Sequence, residues 1–108
     1  MTDKDTIKDI IQKMAEESIT CGWAEQETGA FEDLDHQFKG FIKEHPEYAK
    51  LDKMINPIMQ YGWNIGLNKK GPFHRTGGER WGTDKETEAL TLHQAEEMDK
   101  VFEYIDSI

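Results

Sequence analysis

Two residue pairs in this chain have spacing that could serve metal chemistry. Asp33 and His36 stand three apart, and so do His93 and Glu96. Di-metal bundle sites take a carboxylate and a histidine from one turn of each of two facing helices. Here each histidine falls about 150–170° from the apolar stripe of its own segment, at about 100° per residue, so the pairs would not converge in a core. Cys21 could act as a nucleophile only beside a base, and none is close to it in sequence. At the end of an apolar-striped segment it reads instead as a small buried residue. A third set lies in Lys69-Lys70-Gly71-Pro72-Phe73-His74-Arg75-Thr76-Gly77-Gly78-Glu79-Arg80-Trp81. Loops that mix cations, aromatics and glycine often touch phosphates or bases. His74, Arg75 and Arg80 could in principle hold a phosphorylated ligand. The stretch lacks the Lys-Ser/Thr ending of a phosphate loop and the glycine spacing of a dinucleotide fingerprint. No general base pairs with its cations at a recognisable spacing. No cofactor is implied.

The carboxylates are the stronger signal. Residues 1–35 carry ten acids against three lysines, and residues 83–108 carry eight against two. Residues 63–82 are locally +3 within a total of −9. Two acidic segments therefore flank one short basic, glycine-rich segment, and such a layout limits the partners a small protein can have. Asp5, Asp9 and Glu16 fall in one narrow strip opposite Ile7 and Met14 on a helical wheel, about 6 and 10 Å apart. Glu96, Glu97 and Glu103 take the outer side of the last apolar-striped segment. Spaced carboxylates on a rigid rod can imitate a row of phosphates and compete for a basic groove.

The elements that must position these groups are mainly helical. Ile7, Ile10, Ile11 and Met14 place a helix over 3–20, capped by Thr2 or Asp3 and ended by Cys21-Gly22. Phe31, Leu34, Phe38, Phe41 and Ile42 place a second over 31–44, with Gly40 inside it and Pro46 beyond it. Tyr48, Leu51, Met54 and Ile55 continue the helical period over 47–56. After Pro57, apolar residues alternate through Met59, Tyr61, Trp63, Ile65 and Leu67. That period of two predicts a half-buried strand. The rival is a new helix with Asn56 as cap and Pro57 in its first turn, but it would carry two glycines inside. Phe73 to Thr76 could return as a second short strand. The last helix spans 91–106, with Thr91 and Gln94 as a capping box and Leu92, Ala95, Met98, Val101, Phe102 and Ile105 buried. Thr83 and Glu86 offer an earlier start. The chain holds one valine, which argues against a sheet-rich fold. The expected class is mainly α with a minor β part (α+β): about four short helices on one core, a short strand or hairpin, and a basic loop before the last helix.

At 108 residues the chain is expected to form a single domain, 1–108. One cysteine fits a reducing cytoplasm. The charged N-terminus has no secretory pattern, and no apolar run approaches a membrane span. Three functional readings follow. The first is a non-enzymatic binding protein whose acidic residues Asp5, Asp9, Glu16, Glu96, Glu97 and Glu103 dock on a basic groove of a nucleic-acid-processing enzyme. In physical character, though in no motif, this resembles the inhibitors that phages use against host defence and the immunity proteins that neutralise nuclease toxins. Both rely on charge-steered association. The second is an anion- or nucleic-acid-binding module using Lys69, Lys70, Phe73, Arg75, Arg80 and Trp81. Self-association, with the basic loop of one copy on the acidic face of another, uses the same residues. The third is a small enzyme acting on a phosphorylated ligand.

Overall fold

A computed structural model of the chain describes residues 2–70 and 84–108. Its elements are α1 (Asp3–Ala24), α2 (Gly29–Glu44), a single 3-10 turn (Pro46–Tyr48), α3 (Leu51–Met54), α4 (Asn56–Lys70) and α5 (Asp84–Ser107).

Helix α1 starts where the first acids suit the positive end of the helix dipole. Thr2 and Asp5 form a reciprocal capping box there, each side chain serving the other's backbone amide. The helix does not stop at Cys21-Gly22. It runs to Ala24, and the left-handed residue that ends it is Glu25 (φ 56°). Thr28 begins α2 by accepting the Phe31 amide on its hydroxyl, which also donates to Glu17 at 2.7 Å. That bond places the start of α2 beside the end of α1. His45, at the end of α2, stands 3.8 Å from Asp3 at the start of α1. The two helices are therefore antiparallel.

The α1 helix touches all three other long helices, and α4 is its main neighbour. Those two run parallel, because Ser18 meets Gly62 while Gly22 and Gly66 meet a few residues further on. Helix α5 runs antiparallel to α1, with Lys8 bonded to Asp106 at 2.6 Å and Gln94 reaching Ala15. Helix α4 starts only halfway up α1. The 3-10 turn and α3 fill the layer beneath it, where Tyr48, Leu51 and Ile55 join Ile7, Ile11, Phe38, Val101 and Ile105 in one cluster. Burial and the nearby carboxylates of Glu47 and Asp3 raise the Tyr48 hydroxyl pKa above its ordinary value. A hydrogen bond and charge attraction to Asp35 raise that of Lys39.

The expected strand over 57–67 is not present, and no strand occurs among the described residues. Those positions lie in α4. Pro57 sits in the first turn, where a missing N–H costs nothing. The buried positions of α4, Ile58, Gly62, Ile65 and Gly66, have helical spacing. Met59 and Trp63 are half-covered on one flank and Tyr61 on the other. Covering both flanks of one helix is what produced an apparent alternation of period two. The possible partner strand, Phe73 to Thr76, lies outside the described residues.

Helix α5 takes the earlier start. Thr91 sits inside it and bonds its hydroxyl to the Thr87 carbonyl at 2.9 Å. The buried stripe is Gln94, Met98, Val101 and Ile105, while Leu92 is 65 % exposed and Ala95 is exposed.

Gly40 is exposed within α2, and a Cβ there would meet nothing within 4 Å. Gly40→Ala is expected to stabilise the protein by about 0.5–1 kcal/mol, the ordinary difference between the two residues in a helix. Urea unfolding at an unchanged slope measures it.

Candidate functional site

The carboxylates singled out from sequence divide by environment. Asp5 is exposed but engaged in the cap of α1. Asp9 pairs with Lys13 at 3.0 Å. Glu16 is exposed and accepts only the amide of Gln12, at 3.1 Å. Glu97 pairs with Lys100 at 3.2 Å, and its side chain keeps 27 % of its exposure. At about 100° per residue it stands about 120° round α5 from Glu103. It belongs to the side facing α4 and leaves the outer strip. Glu96 and Glu103 remain on the outside, and Glu96 has only His93 near it, at 3.7 Å.

The structure adds three residues that the sequence reading missed. Asp99 falls between Glu96 and Glu103 on the exposed strip of α5 and lines the groove between α1 and α5. That groove, about 280 Å³, is also walled by Gln12, Glu16, Ile19, Ala95 and Phe102. Leu92 lies on the same strip, four residues before Glu96. Trp23 is 44 % exposed. It stands seven residues after Glu16 and fourteen after Asp9, which puts it on the same stripe of α1. The antiparallel pairing of α1 and α5 brings Trp23 and Leu92 to the same end of this face. A heptad count from Asp9 would have found Trp23. Nothing in the sequence marked Leu92 as exposed, because it also fits the apolar stripe.

The face is strongly negative. Among the described residues, no lysine or arginine pairs with Glu16, Glu96, Asp99 or Glu103. Three lysines of α1 and α5 are engaged elsewhere, while Lys85, seven residues before Leu92, is exposed on the same stripe of α5. Lys8 bonds Asp106 and lies 5.6 Å over the Phe102 ring. Lys13 and Lys100 hold Asp9 and Glu97.

Comparison with family models, curated proteins and solved structures found no match to this chain.

The other sequence candidates stand apart from it. Lys69 is exposed at the end of α4, while Phe73, Arg75, Arg80 and Trp81 lie outside the described residues, as does the side chain of Lys70. His36 is exposed on α2, and His93 stacks on Tyr61 at 5.6 Å. No group of three metal-ligating side chains converges among the described residues. Cys21 is buried, with its Sγ 3.8 Å from the Thr28 hydroxyl. No helix of the described residues is long and apolar enough to cross a membrane.

Proposed function

We propose that this is a non-enzymatic binding protein that presents the α1/α5 face to a basic surface on a protein partner. The carrying observation is that two exposed large hydrophobics, Trp23 and Leu92, share one face with four carboxylates that pair with no lysine or arginine among the described residues. Apolar anchors supply affinity in such contacts, and charge sets the encounter rate and rejects wrong partners. A groove that normally holds nucleic acid is the surface this charge fits, since carboxylates along two helices can replace phosphates on a row of lysines and arginines. The reading thus places the partner among nucleic-acid-processing enzymes and makes the chain its inhibitor. Asp5, Asp9 and Glu97 act at most through their long-range field. The cytoplasm is the compartment this proposal requires.

The test is capture from a cell lysate by the tagged protein, alongside the variant E16Q/E96Q/D99N/E103Q. Raising salt from about 0.1 M to about 1 M cuts the screening length from about 10 to about 3 Å. The expected partner is a nucleic-acid-binding protein that elutes at the higher salt, is displaced by duplex DNA or RNA, and is lost from the variant. A partner retained equally by the variant, or unaffected by salt, overturns the proposal. L92S separates anchoring from steering: it is expected to speed dissociation while leaving the salt dependence of association intact.

A further inference from the structure

A second cleft opens away from the α5 groove, between α1, α2 and α4. Its volume is about 290 Å³, and Ser18, Cys21, Phe31, Met59 and Trp63 line it, with Glu27 and Gln60 at the rim. That size is near the lower end for small-molecule sites. The walls are two aromatic rings, a thioether and a thiol. The one hydroxyl inside, on Ser18, is already committed to the Ala15 carbonyl at 2.6 Å. The Ser18 hydroxyl is therefore not free to donate, and the donors that remain are the Trp63 indole N–H and the Gln60 side-chain amide. A ligand that sits deep in it must need few hydrogen bonds.

The charge around the cleft selects further. From residue 14 to residue 38 the chain carries seven carboxylates and no lysine or arginine, and Lys39, the next residue, is close enough to Glu27 for the two charges to interact. One of the seven, Glu27, stands at the mouth. An anion would be repelled. A neutral apolar ligand would gain nothing from the exposed Glu27 carboxylate. An alkylated ammonium group satisfies both demands. Its methyl shell asks for no hydrogen-bond acceptor, its charge favours the negative faces of aromatic rings, and a carboxylate at the rim supplies the counter-charge. We propose that this cleft binds a small organic cation with a quaternary ammonium head, between Phe31 and Trp63 and beneath Glu27. The proposal is independent of the α1/α5 face and stands or falls without it.

Choline and its neutral isostere 3,3-dimethylbutan-1-ol form the matched probe pair, since they differ in the charge at one atom. The full chain, labelled with 13C at its methionine methyls, reports where each binds. Choline is expected to shift the Met59 methyl saturably and leave Met98 in place, with the neutral alcohol binding about fivefold to tenfold more weakly. Glu27 is exposed, so E27Q leaves the fold intact, and it is expected to remove most of the difference between the probes. W63L is expected to weaken choline more than the alcohol. Equal binding of the two probes would make the cleft merely apolar and overturn the proposal. So would the absence of a saturable Met59 shift up to about 0.1 M choline, where even a millimolar affinity is saturated.

Discussion

Gly22→Ala and Gly66→Ala are each expected to cost about 3 kcal/mol and lower Tm by roughly 10–20 °C. At these positions α1 and α4 cross with backbone against backbone. A Cβ on Gly22 would overlap the Trp63 carbonyl oxygen, and one on Gly66 would overlap the Ile19 carbonyl oxygen. A backbone atom in a helix cannot rotate aside as a side chain does, so the helices must separate and lose contact along the whole seam. Gly62 differs in kind. The obstacle there is the Ser18 side chain, with the Gln94 amide behind it. S18G added to G62A is therefore expected to cost less than the sum of the two single changes, the mark of a shared contact. Gly40→Ala, in open surroundings, is the internal control and moves stability the other way. If alanine at 22 and 66 behaved like alanine at 40, the close parallel crossing of α1 and α4 would be wrong.

These glycines also explain where reading the sequence succeeded and where it failed. Helices α1, α2 and α5 are legible because one apolar stripe faces one core, and Ile7, Ile11, Phe38, Val101 and Ile105 are all buried as their spacing requires. Helix α4 is not, because two of its inward positions are Gly62 and Gly66. Residues without side chains carry no hydropathy signal, so the eye follows Met59, Tyr61, Trp63 and Leu67 on the flanks and sees a strand. The same two glycines counted against a helix on propensity, about 1 kcal/mol each. Close approach to α1 outweighs that cost, since each glycine admits backbone contact that a larger residue would block. Gly22 misled in the same way. It looked like a terminator of α1, but it lies in the helix and marks the crossing point.

The acidic face was half legible. Exposure of Asp5, Asp9 and Glu16 follows from the stripe opposite them. The α5 half depends on which side of that helix is buried, and the sequence offered two overlapping stripes. A stripe that counts Leu92 and Ala95 as core is turned round the helix relative to the true one and carries Glu97 outward. The residue that settles the rotation is polar, and a polar residue is the last to be assigned to a core.

Gln94→Glu is expected to be the most damaging change on α5 at neutral pH. Gln94 is 9 % exposed, and its amide nitrogen reaches the Ile58 carbonyl at 3.1 Å and the Ala15 carbonyl at 3.4 Å. It thereby ties three helices together at one level. Both acceptors lie inside helices and have regular amide partners four residues on. Q94L therefore removes two bonds without orphaning either oxygen, and about 1–2 kcal/mol is expected to be lost. A carboxylate at the same place faces two carbonyl oxygens in a buried site, with an expected loss of about 3 kcal/mol or more. The sign of its pH dependence follows from burial. Desolvation raises the folded-state pKa of that carboxyl above its unfolded value of about 4.3. Below that pH the group is neutral in both states and E and Q differ little. As pH rises above it the folded state holds more protons than the unfolded one, so the variant's stability falls away from that of the parent and the gap levels off beyond the folded pKa. Urea midpoints of the parent, Q94L and Q94E between pH 4 and pH 8 decide the matter. A gap for Q94E that is the same at both ends of that range would mean that position 94 is open to water and that the three helices do not meet there.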